Sequence, residues 1–364
     1  MKYAALVLCL LIGQSASAVD WSPAKTRVIV ISLAAFAGET PGNTSFSTSD
    51  RLDDPLVGQF LSLGVPLDNM LYLKDSRATK NTITKVVPYF LGLSQEDEML
   101  IFYYSSHGGY DPKTGTHTYS AFDGSISIDW FVKSIESKFK GKQVMLFSDC
   151  CFSGGMVDLA KSRGESGTID ISYGALSTTG SCNVGYSGWR FTDLLRRAWS
   201  GDVAMDFDED RSISFQELCI FAEYYMAFVA EGKPLHVTTG SFPWDLALSK
   251  VRRPANKNIG KRLLARDGNS WYKAEIVDTK GDQIRVHFTD KSRYAKYSWM
   301  TWDDVKALEY AIYKPGTRVL IKNGEGRWVP GTVLERFQNM HECRYDGRNS
   351  RYDEWISPSR IKPN

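Results

Sequence analysis

Strand-like apolar segments that alternate with helical patterns constrain the fold of this chain more than any other feature. Between Arg27 and about Val251, apolar runs such as RVIVIS, MLIFYYS and QVMLFSD are separated by segments with the spacing of amphipathic helices. Strands that are apolar on both faces belong to a largely parallel sheet with helices on its two sides. The sequence therefore predicts an α/β fold over residues 19–251.

Reactive side chains follow two of these strands. LIFYYS ends just before His107 and two glycines, and VMLFSD ends just before Cys150 and Cys151. Sites in parallel sheets form outside the carboxyl ends of the strands, so we expect the two loops to meet at one edge. A thiol nucleophile, a histidine proton donor and backbone N–H groups that hold an oxyanion are what amide hydrolysis needs.

These two motifs resemble those of the caspase and metacaspase superfamily of cysteine peptidases. SHGG is similar to the family's His-Gly motif, and DCCFSG (residues 149–154) matches its Asp-x-Cys-x-Ser-Gly pattern. The resemblance covers roughly residues 27–250. It implies that Cys151, rather than Cys150, is the nucleophile and that His107 is its partner.

The resemblance also implies the remaining parts of the site. The backbone N–H groups of Gly108 and Cys151 hold the oxyanion, and the chemistry requires no cofactor. Asp149 lies beside the pocket for the residue before the scissile bond, where a carboxylate attracts Arg or Lys; loop bracing is the alternative role for this side chain. The implied activity is endopeptidase cleavage of proteins or peptides after Arg or Lys.

Two other functions are compatible with the same motifs. One is a catalytically silent caspase-like scaffold whose C-terminal modules bind a partner, although the intact His107 and Cys151 argue against it. The other is a transpeptidase that uses the same acyl-enzyme.

An acidic stretch, DFDEDRSISFQE, has the ligand spacing of an EF-hand loop. Oxygen-bearing side chains occupy positions 1, 3, 5, 7, 9 and 12: Asp206, Asp208, Asp210, Ser212, Ser214 and Glu217. The sixth position, normally Gly, is Arg211. Calcium binding and a simple acidic cap for the following helix are therefore both open.

The N-terminal residues 1–18, MKYAALVLCLLIGQSASA, have the layout of a secretory signal peptide cleaved after Ala18. We therefore predict a secreted or periplasmic protein without membrane association after cleavage, since no later segment is long enough to span a bilayer. The formal net charge is only +2, so we expect no nucleic-acid partner. Five cysteines remain, an odd number that leaves at least one thiol outside any intrachain disulfide.

A two-fold repeat follows a linker at residues 252–258. Residues 259–310 and 311–364 each carry a Gly-x-Arg start and short strands, which predicts two small SH3-like β-barrels. The second resembles chromo-barrel and Tudor-like domains in its CRYDGRNSRYDEW stretch, and the resemblance implies aromatic-cage candidates Trp328, Tyr345, Tyr352 and Trp355. The same rings also suit a barrel core, so we expect general modules that bind a protein or peptide partner or act as spacers.

Three local expectations complete the sequence analysis. The polar residues 158–170 should form a mobile loop, in which Lys161 and Arg163 offer sites for self-cleavage. His117 should be solvated in another polar stretch. Pro88 should bend or shorten the helix that contains it.

Overall fold

The structure is a computed structural model of the 364-residue chain. It describes residues 20–38, 44–48, 50–183, 188–229, 233–251, 256, 258–289, 296–308, 310–323, 326–337 and 340–364. The signal-peptide prediction for residues 1–18 and most of the predicted linker lie outside the described residues.

A six-stranded sheet forms the centre of the first part of the chain. Its strands are β1 (Thr26–Ser32), β2 (Met70–Lys74), β3 (Met99–Ser105), β7 (Gln143–Asp149), β8 (Ser172–Ser177) and β10 (Leu235–Thr238), in the order β10-β8-β7-β3-β1-β2. All neighbours are parallel except β10, which is antiparallel at the edge. The inner strands are buried along almost their whole length, which explains their continuous apolar sequences and confirms the predicted α/β class.

Helices cover both faces of this sheet. One face carries α1 (Asp53–Leu63), α5 (Arg190–Trp199) and α6 (Phe215–Val229), and the other carries α2 (Lys80–Gly92), α3 (Ile128–Lys138) and α4 (Gly154–Ser166). Helix α2 continues through Pro88, so the expected shortening is wrong. Its buried face, with Val87, Phe90 and Leu91, offsets the hydrogen bond that proline cannot donate.

Two elements of the first part differ from the sequence expectation. Residues 158–166 belong to helix α4, so the expected mobile loop is wrong there; Met156, Val157 and Ala160 bury one side of this helix against the sheet. A small antiparallel sheet of β4 (Gly108–Asp111), β5 (Thr116–Ala121) and β6 (Gly124–Ser127) follows β3. A two-stranded pair of β9 (Ser212–Ser214) and β11 (Ala247–Lys250) precedes the C-terminal repeats.

The two repeats form separate five-stranded antiparallel sheets. The first contains β12 (Arg262–Asp267), β13 (Ser270–Lys280), β14 (Gln283–Phe288), β15 (Tyr297–Thr301) and β16 (Val305–Ala307). The second contains β17 (Arg318–Lys322), β18 (Trp328–Phe337), β19 (Met340–Tyr345), β20 (Glu354–Ile356) and β21 (Ile361–Pro363). In each repeat one short helical turn separates the last two strands. These two strands nevertheless lie at opposite edges of the sheet, because the strand orders are β15-β14-β13-β12-β16 and β20-β19-β18-β17-β21. The two edges of each sheet are therefore joined by a single turn, which supports in part the small barrels that the repeat pattern predicts.

Both barrels pack on helices α5 and α6. Arg197 of α5 forms a buried bidentate ion pair with Glu275 of β13, with N–O distances of 2.9 and 3.1 Å. The Trp355 ring of β20 lies 4.9 Å from that of Tyr224 in α6, and Met340 joins the same apolar core. Among the described residues, the structure contains no helix with the length and apolar character needed to cross a membrane.

Candidate active site

The loops that follow β3 and β7 leave the sheet side by side, as their sequences predict. The two strands pair in parallel with Ser105 opposite Asp149 at their carboxyl ends. One residue later, the Ser106 N–H donates to the Asp149 carbonyl oxygen at 3.3 Å. The segments that carry His107 and Cys151 therefore start from neighbouring points on one edge of the sheet.

Gly108 brings these two loops into contact. A Cβ atom at this position would lie 2.1 Å from the carbonyl oxygen of Cys151 and 2.7 Å from Cys150 Sγ, where no side chain fits. Only glycine allows the backbone to approach this closely. Sterically, only glycine fits at the position after His107, and the Gly108 peptide lies directly against that of Cys151.

A backbone carbonyl fixes the orientation of the His107 ring. Its Nε2 atom lies 2.8 Å from the carbonyl oxygen of Thr44, and the rings of Phe36 and Phe46 lie 5.4 and 4.3 Å away. Because a carbonyl can only accept, Nε2 carries the proton, and Nδ1 of the neutral ring is left as a base. Thr44 acts through its backbone and leaves no side-chain signal in the sequence, so the sequence analysis missed it.

The two adjacent cysteines have different environments. Cys150 is only 4% exposed and faces the core under α2–α4, with its Sγ 3.7 Å from Ser148 Oγ. Burial raises the pKa of the Cys150 thiol well above its usual range, so this group stays protonated. Cys151 is half-buried and lies at the surface of the sheet edge. Since the thiolate is the nucleophilic form, the environment favours Cys151.

The turn after Cys151 is strained. Phe152 has φ +58°, in the left-handed region that bulky residues rarely adopt. Its N–H donates to the Asn183 carbonyl at 2.8 Å, and the next residue, Ser153, lies 3.0 Å from the Thr179 hydroxyl oxygen. These contacts hold a sharp strand–turn–helix connection, and strain of this kind is concentrated at functional sites.

A row of polar residues lines the sheet edge beside Cys151. Ser32 pairs with Ser105, and Ser105 pairs with Asp149, so the three side chains share one face of the sheet. Asp149 is fully buried, and neither of its carboxylate oxygens has a well-aligned hydrogen-bond donor or a cationic partner among the described residues. Burial raises the pKa of Asp149 to about 7, although the nearby hydroxyls of Thr178 and Ser105 oppose the rise. A buried carboxylate without a donor is costly, so a cation is its natural partner.

An arginine at the far end of this row does not neutralise Asp149. Arg51 Nη2 lies 2.6 Å from Asp53 Oδ2, and Nη1 lies 2.6 Å from Asp75 Oδ2. Its two contacts in the row are long, 3.4 Å from Nη2 to the Ser32 carbonyl oxygen and 3.4 Å from Nη2 to Ser32 Oγ. Two carboxylates thus hold this guanidinium, and the charge of Asp149 stays available to a ligand.

Comparison with known proteins gives the family of this arrangement. The caspase-domain family of peptidases matches residues 59–261, more than half of the chain. The chain belongs to the caspase-domain family. This result confirms the resemblance inferred from the SHGG and DCCFSG motifs and points to a cysteine-type peptidase that acts on proteins or peptides.

Two other comparisons add less. The crystal structure of a protein from Geobacter sulfurreducens is similar over 62% of this chain and all of its own, with 16% identity and a TM-score of 0.44. No curated protein matches the sequence. The family match ends near the first barrel, so the resemblance of the second barrel to chromo-barrel domains stays a prediction.

A second histidine lies beside the turn of the caspase domain. His117 of β5 places its Nε2 2.8 Å from the Ser181 carbonyl oxygen. A Cβ atom on Gly155 would lie 2.3 Å from this imidazole ring. The expectation that His117 is simply solvated is therefore wrong: the residue packs between the start of α4 and the loop after β8.

The acidic loop of the caspase domain brings together only part of its predicted ligand set. Three carboxylates have oxygen atoms within 4.8 Å of one another: those of Asp206, Asp208 and Asp210. Glu217 turns elsewhere, because its Oε1 accepts from the Phe207 N–H at 2.7 Å and its Oε2 from the Ser214 N–H at 2.8 Å. Burial raises the pKa of Glu217 to about 7. Glu217 therefore braces the loop and the start of α6.

In the same loop, the conformation of Arg211 is compatible with a calcium-binding turn, whereas the surroundings of Ser212 disfavour a cation. Arg211, at the sixth position, has φ +70° and so adopts the left-handed conformation for which glycine is normally required. Ser212 Oγ lies 3.2 Å from Lys250 Nζ, which places a positive charge beside the seventh position. The backbone turn is thus present, but the ligand set is reduced to the three aspartates.

The aromatic-cage candidates do not form an exposed cage. Trp355 is buried against Tyr224 of the caspase domain, so its assignment to an exposed cage is wrong. The Tyr345 hydroxyl is hydrogen-bonded to Glu354 within the barrel. The chain's own cations lie over three of the exposed rings: Lys362 over Trp328 at 4.2 Å, Arg348 over Tyr352 at 4.8 Å and, in the first barrel, Lys306 over Trp271 at 4.3 Å. These faces already have the cation–π partner that a methylated lysine would supply.

Proposed function

We propose that this protein is an exported cysteine endopeptidase of the caspase-domain family that cuts after Arg or Lys. The observation that carries the proposal is the contact between the His107–Gly108 backbone and Cys151 at the carboxyl edge of the sheet. A half-buried thiol, a histidine held by a carbonyl, and glycine-rich backbone together supply a nucleophile, a proton donor and oxyanion donors.

The proposed reaction uses only groups of this chain and water. The Cys151 thiolate adds to the substrate carbonyl carbon, and the electron pair that moves to oxygen is held by the N–H groups of Gly108 and Cys151. As the C–N bond breaks, the His107 imidazolium gives its Nδ1 proton to the leaving amine. His107 then deprotonates a water molecule that attacks the thioester, and Cys151 leaves as a thiolate beside the reformed imidazolium.

Specificity for a basic residue rests on Asp149. A substrate guanidinium or ammonium gives this buried carboxylate the charge-assisted hydrogen bonds that the described residues do not provide. Because Arg51 is already held by Asp53 and Asp75, it does not compete for Asp149. Substrates with Asp before the scissile bond would bring a second negative charge to the pocket and should be poor.

Active-site labelling tests this proposal. A peptidyl-arginine acyloxymethyl ketone should modify Cys151 alone, as located by mass spectrometry of the digested protein, and the matched Asp peptide should react far more slowly. The Cys151→Ala variant is the control for reaction at other thiols. Modification chiefly at Cys150 or Cys182, or faster reaction of the Asp peptide, would contradict the proposal.

Export follows from residues 1–18 in this proposal, and the barrels are assigned a spacing role. N-terminal sequencing of protein recovered from outside the cytoplasm should begin at Val19. Because the chain's own cations already lie over Trp271 and Trp328, methyl-lysine peptides should not bind these two rings; fluorescence titration with a trimethyl-lysine peptide and its unmodified form would check this.

Calcium is proposed as a weak ligand of the acidic loop. Oxygen atoms are the ligands that calcium prefers. Burial, together with repulsion from Asp210 and Asp208, raises the pKa of Asp206, and a bound cation would relieve this repulsion. Asp206, Asp208 and Asp210 would hold the ion, with Glu217 left in its bracing role. Millimolar calcium should raise the melting temperature, and Asp208→Asn should remove this rise. The absence of heat in a calorimetric titration at millimolar calcium would leave the loop with a capping role only.

A further inference from the structure

The Asp75 carboxylate, which is outside the proposed dyad, connects the two chain segments on either side of Thr44 and Phe46, the residues that contact His107. Asp75 Oδ1 accepts from the backbone N–H groups of Ala34 at 2.7 Å and Ala35 at 3.2 Å. Its Oδ2 accepts from Arg51 Nη1 at 2.6 Å. Ala34 precedes and Arg51 follows the described residues 44–48, so a single side chain joins the backbone before this segment to the arginine after it.

The contacts continue from Ala34 to His107 without a gap. The Ala34 carbonyl oxygen accepts from the Phe46 N–H at 2.7 Å. The Phe46 ring lies 4.3 Å from the His107 ring, and the Thr44 carbonyl oxygen lies 2.8 Å from His107 Nε2. Asp75 therefore acts on the segment that sets both the orientation and the tautomer of the histidine.

The conformation of Asp75 indicates a specific placement. It directly follows β2 with φ +47°, a left-handed conformation that is uncommon for residues other than glycine. Such a conformation persists only where surrounding contacts require it. Here the requirement is visible: the carboxylate must face the Ala34–Ala35 peptides and the Arg51 guanidinium at the same time.

We propose that Asp75 is a positioning residue for His107. By holding Ala34 and Arg51, it keeps Thr44 and Phe46 against the imidazole, so that Nε2 stays bonded to the Thr44 carbonyl and Nδ1 remains the basic nitrogen of the proposed dyad. This inference rests on the proposed dyad of His107 and Cys151, and it adds a residue remote from the reacting atoms.

The test is the pH dependence of Cys151 alkylation by iodoacetamide, measured at that residue by mass spectrometry. An imidazolium beside the thiol maintains thiolate below the ordinary thiol pKa of about 8.5, so the wild type should react at about pH 6. Asp75→Ala should lower that rate roughly tenfold or more, the change expected for a shift of about one pKa unit. His107→Ala sets the lower limit of reactivity.

Asp75→Asn provides a second, milder variant. Its amide oxygen still accepts from Ala34, and asparagine tolerates the left-handed conformation, but the ionic contact with Arg51 is lost. The rate at about pH 6 should therefore fall between those of the wild type and Asp75→Ala. If Asp75→Ala does not fold, this variant carries the test.

A neighbouring carboxylate gives the matched control. Asp54 is exposed and bonds to Lys74 and to the Tyr72 hydroxyl, so Asp54→Asn should leave the alkylation profile unchanged. A folded Asp75→Ala protein with the wild-type profile would overturn the inference while leaving the dyad intact. A wild type whose reactivity at about pH 6 is the same as that of His107→Ala would instead refute the dyad itself.

Discussion

Asp149 is the single residue whose charge should control substrate binding. Burial raises the pKa of Asp149 from its ordinary value of 3.8 to about 7, so much of the protein carries this side chain protonated at neutral pH. A basic substrate side chain binds the ionised form. On a Cys151→Ala background, which removes the chemistry, the affinity for an Arg peptide should therefore rise about tenfold per pH unit up to about 7 and then level off. Calorimetric titration at several pH values measures this, and Asp149→Asn should show a flat profile.

The same carboxylate should also link stability to pH. The folded state holds this proton more tightly than the unfolded state does, so stability is greatest below about pH 4 and falls as pH rises through about 7. Three pKa units set an upper limit of about 4 kcal/mol. Asp149→Asn has no carboxylate that must ionise in the buried site. The melting temperature of this variant relative to the wild type should therefore increase between about pH 4 and 8. A difference that stays constant over this range would show that Asp149 is ionised at low pH.

Single substitutions should separate the two adjacent cysteines. Cys151→Ala and His107→Ala should each abolish peptide hydrolysis, leaving on the order of 10³–10⁴-fold over water by analogy with serine triads. Cys150→Ala should retain most activity, because its buried thiol faces the core. Initial rates with an Arg substrate measure all three, and loss of activity in Cys150→Ala with retention in Cys151→Ala would reverse the assignment.

At the scale of elements, helix α4 changes the expectation for self-processing. A peptidase binds its substrate extended, but Lys161 and Arg163 lie within α4, and Arg163 bonds Asp129 of α3 at 2.8 Å. Cleavage there would require local unfolding of the helix. We therefore expect an intact chain across residues 154–166 in active protein. N-terminal sequencing beside the Cys151→Ala form checks this, and a new N-terminus at residue 162 or 164 in the active sample alone would contradict it.

The elements that sequence reasoning missed share a physical cause. β3 and β7 were predictable because burial on both faces leaves a continuous apolar run. Helix α4 buries only one narrow side, with Met156, Val157 and Ala160, while its exposed side carries polar residues such as Lys161 and Ser162, which suggest a loop. The contacts of Thr44 are made by backbone atoms distant in sequence, and no residue pattern encodes them.

At the scale of the whole molecule, the barrels form one packed body with the caspase domain. The ion pair of Arg197 with Glu275 is buried, so Glu275→Ala should destabilise the protein by about 3 kcal/mol. This value is the lower end of the range for a broken buried pair, because Asp202 still contacts Arg197 in the variant. Arg266→Ala removes a more exposed pair of the same barrel and should change stability by roughly 0–1 kcal/mol. Urea denaturation measures both, and equal effects would contradict the predicted role of burial.

The docking of the barrels could not be predicted from the repeats themselves. Their strand patterns specify two antiparallel sheets, but they leave open whether Trp355 belongs to an aromatic cage or to a barrel core, and the ring instead packs on Tyr224. The two residues are 131 positions apart, one in the caspase domain and the other in the second repeat, and neither carries a local signal for the other. The chemistry of the site was accessible because it depends on two short motifs; the arrangement of the domains depends on complementary surfaces.

Because a ribosome makes the chain from its N-terminus, the contact of Trp355 with Tyr224 can form only after the peptidase motifs have been synthesised. His107 and Cys151 are synthesised before the core beneath α5 and α6 is complete, because that core includes Met340 and Trp355, which lie far downstream in the sequence. A nascent chain that has just completed its peptidase motifs still lacks part of the apolar layer that supports them. Full activity should consequently appear only after Met340 and Trp355 have been synthesised and have packed into this core.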